Sequence, residues 1–119
     1  MLTLPPAVRL FVCIQPTDMR RGFDRLALMV QTILKQDPYS GHLFVFRSRR
    51  ADRVKVLYWD RDGYAIWYKR LEKGTFRFPE HLTDGAELRS GDLAMLLEGI
   101  DPTQVARARR YVRQTSASG

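Results

Sequence analysis

Three consecutive segments constrain this chain more than any other feature: Val54-Lys55-Val56-Leu57-Tyr58-Trp59, the turn Asp60-Arg61-Asp62-Gly63, and Tyr64-Ala65-Ile66-Trp67-Tyr68-Lys69-Arg70-Leu71. Two runs rich in β-branched and aromatic residues around a short Asp/Gly turn read as a β-hairpin. The flanking segments are read around that frame.

Upstream, Pro5-Pro6 is a stiff lead-in, and Val8 to Ile14 is a mostly buried first strand that stops at Gln15-Pro16. Thr17 and Asp18 are N-cap candidates for a long helix from Met19 to Lys35. Along it Met19, Phe23, Leu26, Ala27, Val30, Ile33 and Leu34 recur mostly at spacings of three and four, with Gly22 as an interruption. Asp37-Pro38-Tyr39-Ser40-Gly41 is a turn cluster, and Leu43-Phe44-Val45-Phe46 a short buried strand. Downstream of the hairpin, Glu72-Lys73-Gly74 turns into Thr75 to Pro79, where Phe76 and Phe78 share one face. Leu82 to Arg89 reads as a loop with a short edge strand. Ser90 caps a closing helix, Asp92 to Glu98, that Gly99 and Pro102 stop. The expected architecture is α+β: a mostly antiparallel, meander-like sheet with one long amphipathic helix packed on it and a short C-terminal helix. Residues 1–101 form a single domain, and residues 102–119 a basic tail, helical and then disordered.

The 119 residues carry 45% hydrophobic content, two Trp, five Tyr and six Phe, enough for one real core. One cysteine, Cys13, excludes a disulfide within the chain and sits in an apolar run, where a thiol packs as a small hydrophobe. No stretch approaches the length of a membrane span, and no secretory leader pattern stands at the N-terminus, so a cytoplasmic protein is expected.

Chemistry of its own is not expected. His42 and His81 are isolated, and one cysteine with two histidines does not make a zinc site. Asp60-x-Asp62-Gly63 echoes the start of a calcium loop, but Tyr64 and Leu71 occupy its fifth and twelfth places, where oxygen ligands belong. No nucleophile elbow or phosphate-cradling loop is present. A metal-dependent nuclease would have to draw on Asp18, Asp24, Asp52, Asp60, Asp62 and Glu72, a scatter that caps, turns and ion pairs account for. The reading is therefore a non-enzyme with no cofactor and no metal.

Charge is more informative. Twenty Lys and Arg against 13 Asp and Glu give +7, a balance that favours polyanion partners. Arg107, Arg109, Arg110 and Arg113 of the tail hold four of those charges, leaving 16 basic against 13 acidic residues up to Asp101. The concentrated cluster is elsewhere: Arg47, Arg49, Arg50, Arg53 and Lys55 fall within nine residues at the mouth of two strands. Cations there can grip phosphates while a ring from Tyr58, Trp59 or Trp67 stacks on a base. The alternative is a solvated loop beside core aromatics. Arg20 and Arg21 at the start of the long helix, with Lys69 and Arg70 at the end of the hairpin, form a possible second patch, unless Asp18 and Asp24 offset the first two.

Several blocks in a fixed order carry a resemblance: Thr17-Asp18-Met19-Arg20-Arg21-Gly22-Phe23-Asp24, Gly41-His42-Leu43-Phe44-Val45-Phe46, Asp52-Arg53-Val54-Lys55-Val56-Leu57, Tyr68-Lys69-Arg70-Leu71-Glu72-Lys73-Gly74 and Leu96-Leu97-Glu98-Gly99-Ile100. From about residue 8 to 101 the chain resembles the accessory proteins (TnpB, the second open reading frame product) of the insertion sequence 66 family of bacterial transposable elements. Arg25 stands where that pattern has a small residue. The resemblance implies a role in transposition beside a separate transposase and a second accessory protein. Taken with the basic clusters, it leads to the expectation of a protein that binds DNA mainly through phosphates and assists that transposase. The competing expectation is an adaptor that contacts the transposase or the other accessory protein without touching DNA.

Overall fold

The computed structural model describes residues 8–79, 82–89, 92 and 96. Its elements are β1 (Leu10–Pro16), α1 (Phe23–Thr32), β2 (Leu43–Arg47), β3 (Arg53–Asp60), β4 (Gly63–Arg70) and β5 (Ala86–Leu88). The strands form one sheet in the order β4-β3-β2-β1-β5. β2, β3 and β4 are a true antiparallel meander. β1 and β2, however, run parallel, Leu10 opposite Leu43 and Val12 opposite Val45, and β5 closes the other edge antiparallel to β1.

This corrects the expected architecture. The sheet is mixed, because α1 lies in the connection between β1 and β2, and a helical crossover returns the chain in the same direction. Parallel strands covered on both faces carry continuous apolar runs, as Leu10 to Cys13 and Leu43 to Phe46 do.

The long helix is corrected as well, to ten residues in place of the expected span from Met19 to Lys35. Asp18 accepts from the Arg21 N–H through its backbone carbonyl and from the Arg20 N–H through its carboxylate, so it organises a turn of its own and not the helix start. The N-cap position is Gly22, in extended conformation with no side-chain cap. At the other end Lys35 takes a left-handed φ of 57°, and the Gln36 N–H bonds back to the Val30 carbonyl, a closure that ends helices. α1 is the single helix among the complete described elements. Of the C-terminal helix expected over residues 92–98, only Asp92 and Leu96 are described; the rest, and the whole tail 102–119, lie outside the described residues. Thr75 to Pro79 forms no strand.

Alternation along each strand sorts the core into two layers. Phe11, Cys13, Phe44, Phe46 and Leu57 face α1 and meet Leu26, Ala27, Val30 and Leu34. Leu10, Val12, Leu43, Val45, Val54 and Val56 face the other way, beneath Phe76, Leu82, Leu88 and Leu96. Each fully buried Leu, Val or Phe contributes about 1.5–3 kcal/mol of transfer free energy, so both layers are needed to hold a sheet of this size. Gly85 leads into β5 at φ +82°, where a Cβ would stand a tight 3.1 Å from the Leu34 carbonyl oxygen, so both the backbone and the close approach favour glycine.

Candidate nucleic-acid interface

The parallel register between β1 and β2 breaks after Cys13, where Pro16 becomes the partner of Arg47. The bulged residues lose their ladder partners, and side chains replace them. Asp84 accepts from the Ile14 N–H at 2.7 Å and from the Gln15 N–H at 3.3 Å, and the Arg47 Nε donates to the Ile14 carbonyl at 2.7 Å. The Thr17 N–H then reaches the Arg47 carbonyl at 2.9 Å. Thus the segment after β1 is tied to the start of the β2–β3 connection.

That connection is short and firmly closed. The Ser48 N–H donates to the Arg53 carbonyl at 2.9 Å, and the Ser48 Oγ accepts from the Arg53 N–H and bonds Asp52 Oδ1, both at 3.0 Å. The Ala51 N–H closes a turn on the Ser48 carbonyl, with Ala51 itself at a left-handed φ of 58°. From outside, the Leu71 N–H binds the Asp52 carbonyl and the Phe76 N–H binds the Ala51 carbonyl. Arg49 and Arg50 therefore occupy the two central positions of a braced turn, and both are exposed.

Between this turn and the segment Thr17 to Arg20 lies an open cleft of about 570 Å³, walled by Arg20, Arg49, Arg50, Arg53, Met19 and Tyr68 with Asp18 and Asp52. A smaller hollow of about 330 Å³ adjoins it beside Pro16, Arg20 and Arg49. Among the described residues, the side chains of Arg49, Arg50 and Arg53 have no carboxylate partner. Arg20 does: its guanidinium grips Asp18 at 2.8 Å and holds that carboxyl down to about 2.

The remaining cations named from sequence are committed elsewhere. Arg47 is half-buried and spans the carbonyls of Ile14, Ser48 and Arg49. Lys55 is buried, its Nζ donating to the Arg21 carbonyl at 2.9 Å and standing 5.0 Å over the Tyr68 ring. Arg21 turns its guanidinium back to the Met29 sulfur. Arg70 lies directly across from Arg53 but pairs with Glu72 at 3.1 Å. Lys69 is opposite Val54, on the sheet face that turns away from α1, so Lys69 and Arg70 do not share a patch.

The aromatic residues named from sequence are not at this cleft. Trp59 pairs with Tyr64 at the far end of the hairpin, and Trp67 and Tyr58 belong to the opposite core layer. The ring that does line the cleft is Tyr68, 48% exposed, which sequence reasoning missed. Its signal was the hairpin register: counting back from the turn pairs Tyr68 with Lys55, on the face that carries Arg53. No three of His, Cys, Asp and Glu among the described residues group as a metal site. Cys13 is fully buried, and burial, with the nearby Asp84 carboxylate, pushes its thiol up to about 11, so it remains a neutral thiol at ordinary pH. No helix among the described residues is long and apolar enough to cross a membrane.

Comparison with known proteins gives the chain its relatives. Two uncharacterized proteins of Sinorhizobium fredii are similar: y4jC, 42% identical over 101 residues that cover 84% of this chain and 86% of the relative, and y4hO, 42% identical over 94 residues that cover 79% and 82%. No solved structure matches. The family model described as IS66 Orf2-like protein matches residues 8–107, through the first residues of the tail. Every element of the sheet and every wall of the cleft falls within that span, and the chain belongs to the IS66 Orf2-like family of transposition-associated accessory proteins.

Proposed function

We propose that this accessory protein binds DNA mainly through its phosphates at the cleft between Thr17 to Arg20 and Ser48 to Arg53, assisting a separate transposase without catalysing a reaction itself. The observation that carries the reading is the state of three guanidinium groups. Arg49 and Arg50 project from the braced turn and Arg53 from the start of β3, all without carboxylate partners among the described residues, while Arg20 stands across the cleft. A solvated surface needs no such bracing. The braced backbone fixes where these side chains start, and their planar guanidinium forks, free of carboxylates, fit phosphate oxygens.

Salt-titrated binding of a labelled duplex tests this. Affinity should fall linearly with salt on logarithmic axes. Changing Arg49, Arg50 and Arg53 together to Ala should lower affinity at least tenfold and flatten the slope by about 2–3, near 0.9 for each phosphate no longer neutralised. An unchanged slope in the triple variant would place the phosphates elsewhere.

A further inference from the structure

Tyr68 gives the cleft a property that arginines alone do not. It is the aromatic wall of a site otherwise built from cations and short polar side chains, and nearly half of its surface remains open. The ring is held from beneath: the Lys55 ammonium lies 5.0 Å from its centroid, and that ammonium is itself fixed by the Arg21 carbonyl at 2.9 Å. An exposed ring normally swings freely. Here a buried cation stands against the ring, which lines the same cleft as the arginines and stays 48% exposed.

We infer that the cleft takes an unpaired nucleotide, its base stacked on Tyr68 and its flanking phosphates on Arg49, Arg50 and Arg53, so that single-stranded DNA or a frayed end is preferred over intact duplex. The inference rests on the phosphate-binding reading and specifies its substrate. Three features support it together. The open cleft of about 570 Å³ has room for one base beside its phosphates, whereas a duplex keeps its bases stacked inside and presents its sugar–phosphate ridge to such a hollow. A ring beside a row of arginines is the arrangement by which proteins hold single strands, because every base has a stackable face whatever its sequence. Met19, on the wall from the other segment, supplies a polarizable apolar surface against a base edge.

The test compares a labelled oligothymidylate with a blunt duplex hairpin by fluorescence anisotropy at matched salt, on the full chain and three variants. The full chain should bind the single strand more tightly. Tyr68→Leu should weaken single-strand binding about tenfold, the scale of one lost base–aromatic stack, and change duplex binding little. Tyr68→Phe should retain the single-strand affinity, which separates stacking from any loss of fold. The inference is overturned if Tyr68→Leu binds the single strand like the parent chain, if it loses single strand and duplex equally, or if the parent chain prefers duplex. In each of those cases a weakened Arg49/Arg50/Arg53 alanine variant would leave the phosphate reading standing. If that variant binds both probes like the parent, the phosphate reading fails with it.

Discussion

The two ends of the β3–β4 hairpin are built from the same strands and do opposite things. At one end, Trp59 and Tyr64 face each other across the ladder and close on Tyr39, with ring centroids 5.1–5.6 Å apart in edge-on and stacked contacts. At the other, Arg53 and Arg70 face each other beneath the turn that bears Arg49 and Arg50. The hairpin's length, roughly 20 Å at the rise of a strand, separates the two. The aromatic end satisfies itself: each ring's partners are other rings of the same fold. The basic end does not, since Arg53 and Arg70 are set side by side and, among the described residues, Arg70 pairs with Glu72 while Arg49, Arg50 and Arg53 have no carboxylate partner. Unpaired charges of one sign held in a rigid frame cost stability, and a partner of the opposite sign recovers that cost. Aromatic content by itself therefore says little about base stacking here. Among the described residues, the ring that lines the cleft and has no ring partner is Tyr68.

The largest effect that tests this contrast is at the aromatic end. Trp59→Ala removes two edge-on ring contacts, each worth about 0.5–1.5 kcal/mol beyond the area it buries, so a loss of about 2–3 kcal/mol in a urea titration is expected. DNA affinity measured well below the unfolding midpoint should stay at the level of the parent chain. A variant that keeps its stability yet loses DNA binding would reverse the roles assigned to the two ends.

Legibility in the sequence differs between the same two ends. The hairpin is readable because alternating β-branched and aromatic residues bracket a turn, and the cluster Arg49, Arg50 and Arg53 because it fills the short connection between Phe46 and Val54. Lys55 is not readable as a buried residue. Its place next to Val54 and Val56 fixes only that it faces the other side, and whether that side is solvent or helix depends on where the chain before α1 crosses. The crossover itself does leave a signal: strand, helix and strand in succession, with apolar runs on both strands too continuous for an open meander. The expected early helix start traces to Asp18. An Asx-type turn and an N-cap carry the same side chain at the same chain position, and only the backbone beyond it separates them. Lys69 and Arg70 group by adjacency alone, and neighbours on a strand point to opposite faces.

Lys55 sharpens the contrast next. If it is a scaffold for Tyr68 and for the Arg21 carbonyl, Lys55→Met keeps the packed stem and loses a charged hydrogen bond and the cation over the ring, at a cost of about 1–2 kcal/mol in stability. The slope of DNA affinity against salt should not move. Were Lys55 a phosphate ligand, as its place in the basic run suggests, the slope would flatten by about 0.9 and stability would hardly change.

The smallest effect is the most specific to the basic end. Asp18 accepts from the Arg20 backbone N–H at 2.9 Å and takes up the Arg20 guanidinium at 2.8 Å, so it shapes the wall of the cleft and masks one of its cations. Both tasks fall on one carboxylate, but they need different things: the turn needs an oxygen, the masking needs a charge. Asp18→Asn keeps the oxygen and removes the charge. An exposed ion pair of this kind is worth little to stability, so the midpoint of unfolding should hold. DNA binding should tighten by about two- to fivefold with the salt slope steeper by up to about 0.9, as Arg20 joins Arg49, Arg50 and Arg53 on the phosphates. Weaker binding in this variant would mean that Arg20 must stay anchored for the cleft to hold its form, and the Thr17 to Arg20 segment would then be a fixed wall and not a phosphate ligand.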